Sequence, residues 1–169
     1  MDLCVVGLGK VGLPLAVQAA SRGVRVRGCD ISGLVVDQVN AGCEPFSGEF
    51  DLGRLVKEVV EAGSLTATTD TTSAVSASDA VIVVVPLLVD DEAKPEFRAL
   101  DDATAAIGAG LQPGTLVSYE TTMPVSTTRE RLAPALAEAS GLKPGEEFFL
   151  VHSPERVYSG RIFADLRRY

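Results

Sequence analysis

At 169 residues the chain is long enough for one well-buried domain and too short for a cofactor domain plus a full substrate domain. Apolar residues make up 46% of it against 22% charged, a globular composition that excludes a disordered chain. A formal charge of −8, with no basic run before Arg167 and Arg168, excludes the electrostatic footprint of a nucleic-acid binder, although backbone N–H groups at a helix start can still hold an anion.

The first residues lack the basic and long apolar regions of a secretion signal and predict a strand over Leu3–Val6. No apolar run reaches the roughly 18 residues of a membrane span, so a cytoplasmic protein is expected. Gly7-Leu8-Gly9-Lys10-Val11-Gly12 follows the strand at once and opens a helical period over Val11–Arg22. By itself a G-x-G-x-x-G is compatible with a mere turn, but between a buried strand and a helix it predicts a dinucleotide-binding turn. Gly7 permits the sharp bend, Gly9 removes the Cβ that would block a pyrophosphate, and Gly12 lets the helix pack close to the strand. The phosphates would meet the N–H groups of Lys10 and Val11 at the positive end of the helix.

A second strand is predicted over Val24–Asp30, and Asp30 stands eighteen positions after Gly12, near the spacing at which a carboxylate takes the ribose hydroxyls of the adenosine half. A carboxylate there repels a 2′-phosphate, so NAD is predicted over NADP. Capping of the following helix is a second, compatible role for Asp30. Helices are predicted over Gly33–Asn40 and Leu52–Ala62, with strands over Leu65–Thr68 and Ala80–Val85. Pro86 ends the fourth strand where it meets the cofactor cleft. Leu87–Phe97, carrying Asp90-Asp91-Glu92, reads as a loop that is either a lid or partner surface or simply a solvated connection.

A helix over Ala99–Ala109 and a strand over Thr115–Tyr119 come next. Glu120-Thr121-Thr122-Met123-Pro124 then presents a carboxylate and two hydroxyls where a nicotinamide would lie, with helix capping as the competing use of the threonines. After a helix over Thr127–Ser140 and a strand over Phe148–Val151, the polar run His152-Ser153-Pro154-Glu155-Arg156-Val157-Tyr158-Ser159-Gly160 emerges. Glu155 falls near the cleft, where a carboxylate can serve as general base or acid. A surface ion pair with Arg156 or Arg161 is its alternative, and His152 reads as a hydrogen-bonded strand-end residue. Phe163–Tyr169 begins an apolar-periodic helix that stops without a cap, the pattern of a truncated chain.

The β-α-β-α order predicts an α/β fold: a doubly wound, mostly parallel sheet of Rossmann type, forming a single domain over 1–169. Cys4, Cys29 and Cys43 are an odd count without a C-x-x-C pair, which predicts reduced, mostly buried thiols and no metal site.

Three motifs together resemble the UDP-glucose/UDP-N-acetylmannosamine dehydrogenase family: Gly7-Leu8-Gly9-Lys10-Val11-Gly12-Leu13-Pro14-Leu15-Ala16, Glu120-Thr121-Thr122-Met123-Pro124-Val125-Ser126-Thr127-Thr128, and Ser153-Pro154-Glu155-Arg156. The resemblance implies the NAD-binding part of an enzyme that oxidises the C6 alcohol of a UDP-sugar to a carboxylate with two NAD, through an enzyme-bound thiohemiacetal and thioester. It implies that Thr122 helps hold a catalytic water beside the nicotinamide, that Glu155 serves thioester hydrolysis, and that Glu155, Arg156, Val157, Tyr158 and Ser159 line the sugar nucleotide. It also implies a homo-oligomer as the full-length enzyme.

The chain departs from the family at several positions. Leu87-Leu88 replaces the usual Thr-Pro after the fourth strand, and Ser159 stands where members acting on UDP-glucose carry a second glutamate. The Ser-Pro-Glu-Arg form resembles the branch acting on 2-acetamido sugars. The family's nucleophilic cysteine lies beyond Tyr169, and none of the three cysteines here matches it. Two rivals remain at this point: a 3-hydroxyacid or 6-phosphogluconate-type dehydrogenase, and a stand-alone NAD-sensing module.

Overall fold

The computed structural model describes residues 1–158 and 160–166, which leaves out Ser159 and the end of the chain from Arg167. Six strands form one parallel sheet: β1 (Asp2–Val6), β2 (Arg25–Cys29), β3 (Leu65–Thr68), β4 (Ala80–Val83), β7 (Leu116–Tyr119) and β8 (Phe149–His152), in the order β3-β2-β1-β4-β7-β8. β1 lies at the centre, with Leu3 opposite Val26 on one side and Ala80 on the other. The strand order reverses there, and in a doubly wound sheet the crevice at that point takes the ligand.

Alternation along β1 explains the two cores. Leu3 and Val5 face a layer made of α1 (Gly12–Ala20), α2 (Gly33–Asn40), α3 (Leu52–Glu61) and α7 (Ile162–Leu166), where Leu13, Val17, Val39, Val56 and Phe163 are buried. Cys4 and Val6 face the other layer, built on α4 (Thr71–Ser76), α5 (Arg98–Gly110) and α6 (Ala133–Ser140), where Val75, Ile107 and Leu136 are buried. Cover on both faces is why these strands are apolar runs rather than amphipathic ones. Pro14 is tolerated in α1 because it sits in the first turn, whose N–H groups have no partner inside the helix.

All six predicted strands and five predicted helices form, with no end shifted by more than two residues. The loop reading of Leu87–Phe97 is corrected: β5 (Leu88–Val89) and β6 (Pro95–Glu96) pair antiparallel there. Asp90 holds the hairpin tip by accepting the Glu92 and Lys94 N–H groups at 2.9 and 2.8 Å, a local closure that apolar patterning does not reveal. α4 was not predicted, being six residues of mostly polar sequence. Its available signal was Asp70, which caps it by accepting the Ser73 N–H at 3.0 Å. The helix predicted from Thr127 opens as a π-helical turn over Thr128–Leu132 before α6.

Cys4 and Cys29 are fully buried in neighbouring strands, with Sγ atoms 3.6 Å apart, and Cys43 is exposed. The hydrogen bond to Cys29 and burial push the Cys4 thiol above its ordinary range.

Tyr119 is fully buried, and burial pushes its phenol above the usual range. Thr104 donates its hydroxyl proton to the Leu100 carbonyl at 2.7 Å, so in the 2.8 Å contact between Tyr119 Oη and Thr104 Oγ1 the phenol is the donor. Tyr119→Phe is therefore expected to cost about 1 kcal/mol, read as a fall of about 2–4 °C in melting temperature with the fold unchanged. An unchanged melting temperature counts against this hydrogen bond.

Candidate functional site

Main-chain bonds carry the sheet's alignment past the ends of its strands. The Gly7 N–H donates to Cys29 O at 2.8 Å, Val84 N–H to Val6 O, Glu120 N–H to Val83 O and Ser153 N–H to Tyr119 O, each at 2.9 Å. Thus the glycine-rich turn, Val84 to Pro86, Glu120 to Thr122 and the start of the β8 loop all emerge along the carboxyl edge. This is the edge where doubly wound folds bind ligands.

The glycines of the turn are needed for three different reasons. Gly7 has φ +95°, open to residues without a Cβ. A Cβ on Gly12 would lie 1.8 Å from the Gly7 carbonyl oxygen, so only glycine lets α1 come this close to the turn. A Cβ on Gly9 would meet no protein atom within 4 Å: here the open space lies on the ligand side. The N–H groups of Gly9, Lys10 and Val11 have no protein acceptor among the described residues, and α1 has no side-chain cap. Exposed donors at a helix start, reached across a residue without a side chain, fit a pyrophosphate.

Asp30 follows β2, and its two carboxylate oxygens accept the Leu8 and Ser32 N–H groups, both at 2.9 Å. The carboxylate is thereby oriented beside the turn, and each oxygen retains a lone pair for a further donor. The capping role for Asp30 goes to Ser32, whose side chain accepts the Val35 N–H of α2 at 3.4 Å.

Pro86 is exposed and lies three residues past the end of β4, because the strand stops at Val83 rather than at Val85. Thr121 ties this segment to the next by donating its hydroxyl to Val85 O at 2.7 Å, and its own carbonyl contacts His152 Nε2 at 3.1 Å. Neither threonine caps a helix: Thr121 is the tied hydroxyl and Thr122 is exposed at the same edge. Glu120 accepts from the Ser118 hydroxyl at 2.6 Å, and its carbonyl accepts the Glu155 N–H at 3.2 Å. Glu155 is thus drawn to the end of β7.

Glu155 is half-buried, and its carboxylate accepts the Val157 N–H at 2.8 Å. Arg161, one of its two suggested ion-pair partners, pairs with buried Asp165 instead, at 2.8 Å. Arg156 is exposed, and Tyr158, also exposed, donates its N–H to Asp165 at 3.1 Å. Ser159, the remaining predicted substrate contact, is outside the described residues.

A parallel sheet of this order, with a glycine-rich turn of vacant N–H groups and a carboxylate after the second strand, defines a dinucleotide-binding domain of Rossmann type. The model of the UDP-glucose/GDP-mannose dehydrogenase family, NAD binding domain, matches residues 1–169, and the chain belongs to that family. It is 38% identical over 168 residues to UDP-N-acetyl-D-mannosamine dehydrogenase of Pyrococcus horikoshii, covering 98% of this chain and 39% of that protein. The solved structure of the Pyrococcus horikoshii UDP-D-ManNAc dehydrogenase superposes with a TM-score of 0.92 at 35% identity, over 98% of this chain and 39% of that one. The GDP-mannose dehydrogenase of Pseudomonas aeruginosa superposes with a TM-score of 0.94 at 26% identity, over 98% and 38%. The chain therefore spans about two fifths of the length of the relatives it matches. No helix among the described residues is long and apolar enough to cross a membrane.

Proposed function

We propose that the chain is the NAD-binding part of a UDP-sugar 6-dehydrogenase acting on a UDP-2-acetamido sugar. The observation that carries this reading is the alignment on one sheet edge of the vacant N–H groups of the glycine-rich turn with Glu120, Thr122 and Glu155. The likeness to UDP-N-acetyl-D-mannosamine dehydrogenases supports the acetamido sugar. A cytoplasmic homo-oligomer accompanies the reading.

NAD, when bound, supplies a hydride acceptor. The chain's own residues hold and orient it. Lys10 and Val11 donate N–H groups to the pyrophosphate, and Asp30 accepts from the adenosine ribose diol. Pro86 and Thr122 border the nicotinamide half, with Thr122 presenting a hydroxyl to a water. Glu155, kept beside Glu120 by its backbone bond, takes the proton of that water as it attacks the thioester carbon, and the C–S bond breaks to release the cysteine thiolate and the free carboxylate. Arg156, Val157, Tyr158 and Ser159 border the sugar nucleotide.

Two measurements test the reading. Calorimetric titration is expected to give tighter binding of NAD than of NADP, because the Asp30 carboxylate repels a 2′-phosphate. Equal or tighter NADP binding overturns the role of Asp30. The complete enzyme carrying this chain is expected to form two NADH per UDP-N-acetylmannosamine consumed, and failure to oxidise any UDP-sugar overturns the substrate class.

A further inference from the structure

His152 closes β8 and is the one histidine of the chain. It stands opposite Tyr119 in the sheet, and the bond from Ser153 N–H to Tyr119 O at 2.9 Å carries the pairing to the carboxyl edge. The imidazole Nε2 lies 3.1 Å from the Thr121 carbonyl oxygen. A carbonyl oxygen only accepts, so Nε2 carries the proton and donates it. The ring is exposed, and one such bond in water adds little to stability. Its consequence is geometric.

The Thr121 carbonyl belongs to the peptide plane that leads into Thr122, so the bond orients the peptide from which the Thr122 side chain departs. Little else in the main chain does. Among the described residues no main-chain N–H from Thr121 to Ser126 bonds to another main-chain group, and the first that does is Thr127, to Pro124 O at 3.2 Å. The preceding peptide plane is held from the same strand: the Glu155 N–H donates to Glu120 O at 3.2 Å. Two consecutive carbonyls beyond β7 are therefore held by the end of β8, one by the His152 ring and one by the Glu155 main chain. The Thr121 hydroxyl, bonded to Val85 O at 2.7 Å, fixes the same segment toward β4. Thr122 and Glu155 lie beyond different strands, and these bonds set how their side chains stand to each other.

We propose that His152 is a positioning residue for hydrolysis: by holding the Thr121–Thr122 peptide it keeps the Thr122 hydroxyl, and the water at that hydroxyl, within reach of the Glu155 carboxylate. It acts through the Thr121 carbonyl rather than on the reacting atoms. The inference rests on the reading of Thr122 as the water-holding hydroxyl and Glu155 as the base.

His152→Ala removes the donor, and His152→Gln replaces it with a side-chain amide of similar reach. Hydride transfer precedes the attack of water, so the two phases separate when the complete enzyme carrying this chain is mixed rapidly with NAD and UDP-N-acetylmannosamine. His152→Ala is expected to keep the first-turnover burst of NADH and to lose roughly tenfold in the steady-state rate that follows. His152→Gln is expected to recover that rate to within about threefold of wild type. An unchanged steady-state rate in His152→Ala, an equal loss of burst and steady state, or no recovery by glutamine overturns the proposal. The last two are what a general loosening of the strand end would give. The carbonyl carbon shift of Thr121 in the 169-residue chain reads the bond without any reaction. It is expected to move in His152→Ala and to return toward the wild-type value in His152→Gln, and an unmoved shift overturns the proposal. If the wild-type complete enzyme oxidises no UDP-sugar, the dehydrogenase reading falls and the hydrolytic role with it, whereas normal wild-type turnover undiminished in His152→Ala removes only the role of His152.

Discussion

Gly9→Val is expected to abolish NAD binding, weakening it roughly a hundredfold or more, about 2.7 kcal/mol, while leaving the melting temperature within a degree or two. Space and conformation are decisive here. Gly9 does not have a positive φ, and a Cβ there meets no protein atom within 4 Å, so the fold tolerates the side chain. The same atoms occupy the approach to the N–H groups of Lys10 and Val11, where a pyrophosphate would sit. Gly12→Ala is the opposite case. Its Cβ would fall 1.8 Å from the Gly7 carbonyl oxygen, a backbone atom that no rotamer change can move, and a loss of about 3 kcal/mol of stability is expected. Calorimetry and thermal melts on the two variants separate a ligand-facing glycine from a packing glycine. Normal NAD binding by Gly9→Val would put the cofactor elsewhere.

In the complete enzyme, Glu155→Gln is expected to reduce NAD in a burst and then stall, with steady-state turnover down by roughly a hundredfold to ten-thousandfold. Glutamine matches the size of the side chain and still accepts the Val157 N–H through its carbonyl, so the loop geometry survives. It cannot take a proton from the attacking water, and the thioester accumulates. The 169-residue chain alone is expected to bind NAD without turnover. Cys4 and Cys29 are sealed in the core, and Cys43 follows α2, away from the β7 and β8 ends that carry Thr122 and Glu155. Rapid-mixing measurements of NADH formation check both. Sustained turnover by the short chain, or undiminished turnover by Glu155→Gln, would refute the roles assigned here.

Much of this architecture is legible in the sequence because the signals are local. Strands buried on both faces appear as uninterrupted apolar runs such as Leu3–Val6, and helices such as α1 repeat Leu13, Val17 and Ala20 at helical spacing. The glycine-rich turn is legible for the same reason: its bend, its opening and its close packing are requirements of six consecutive residues. The α4 segment and the β5–β6 hairpin escaped because they are short, polar and held by Asp70 and Asp90 through single-residue turns.

By itself the sequence determined the order of elements, the glycine-rich turn and the motifs that identify the family, since each is written in contiguous residues. Only the tertiary structure decided which oxygens and amides meet across the sheet edge. Thr121, not Thr122, is the tied hydroxyl because β4 stops early enough to offer it the Val85 carbonyl. Glu155 turns toward Glu120 because β8 pairs with β7 in the register that sets His152 beside Tyr119. Glu49 and Phe163 are 114 positions apart, yet the fold brings the Phe163 N–H within 3.4 Å of Glu49 Oε1. Such contacts depend on how distant segments are brought together, which local propensity and spacing do not encode.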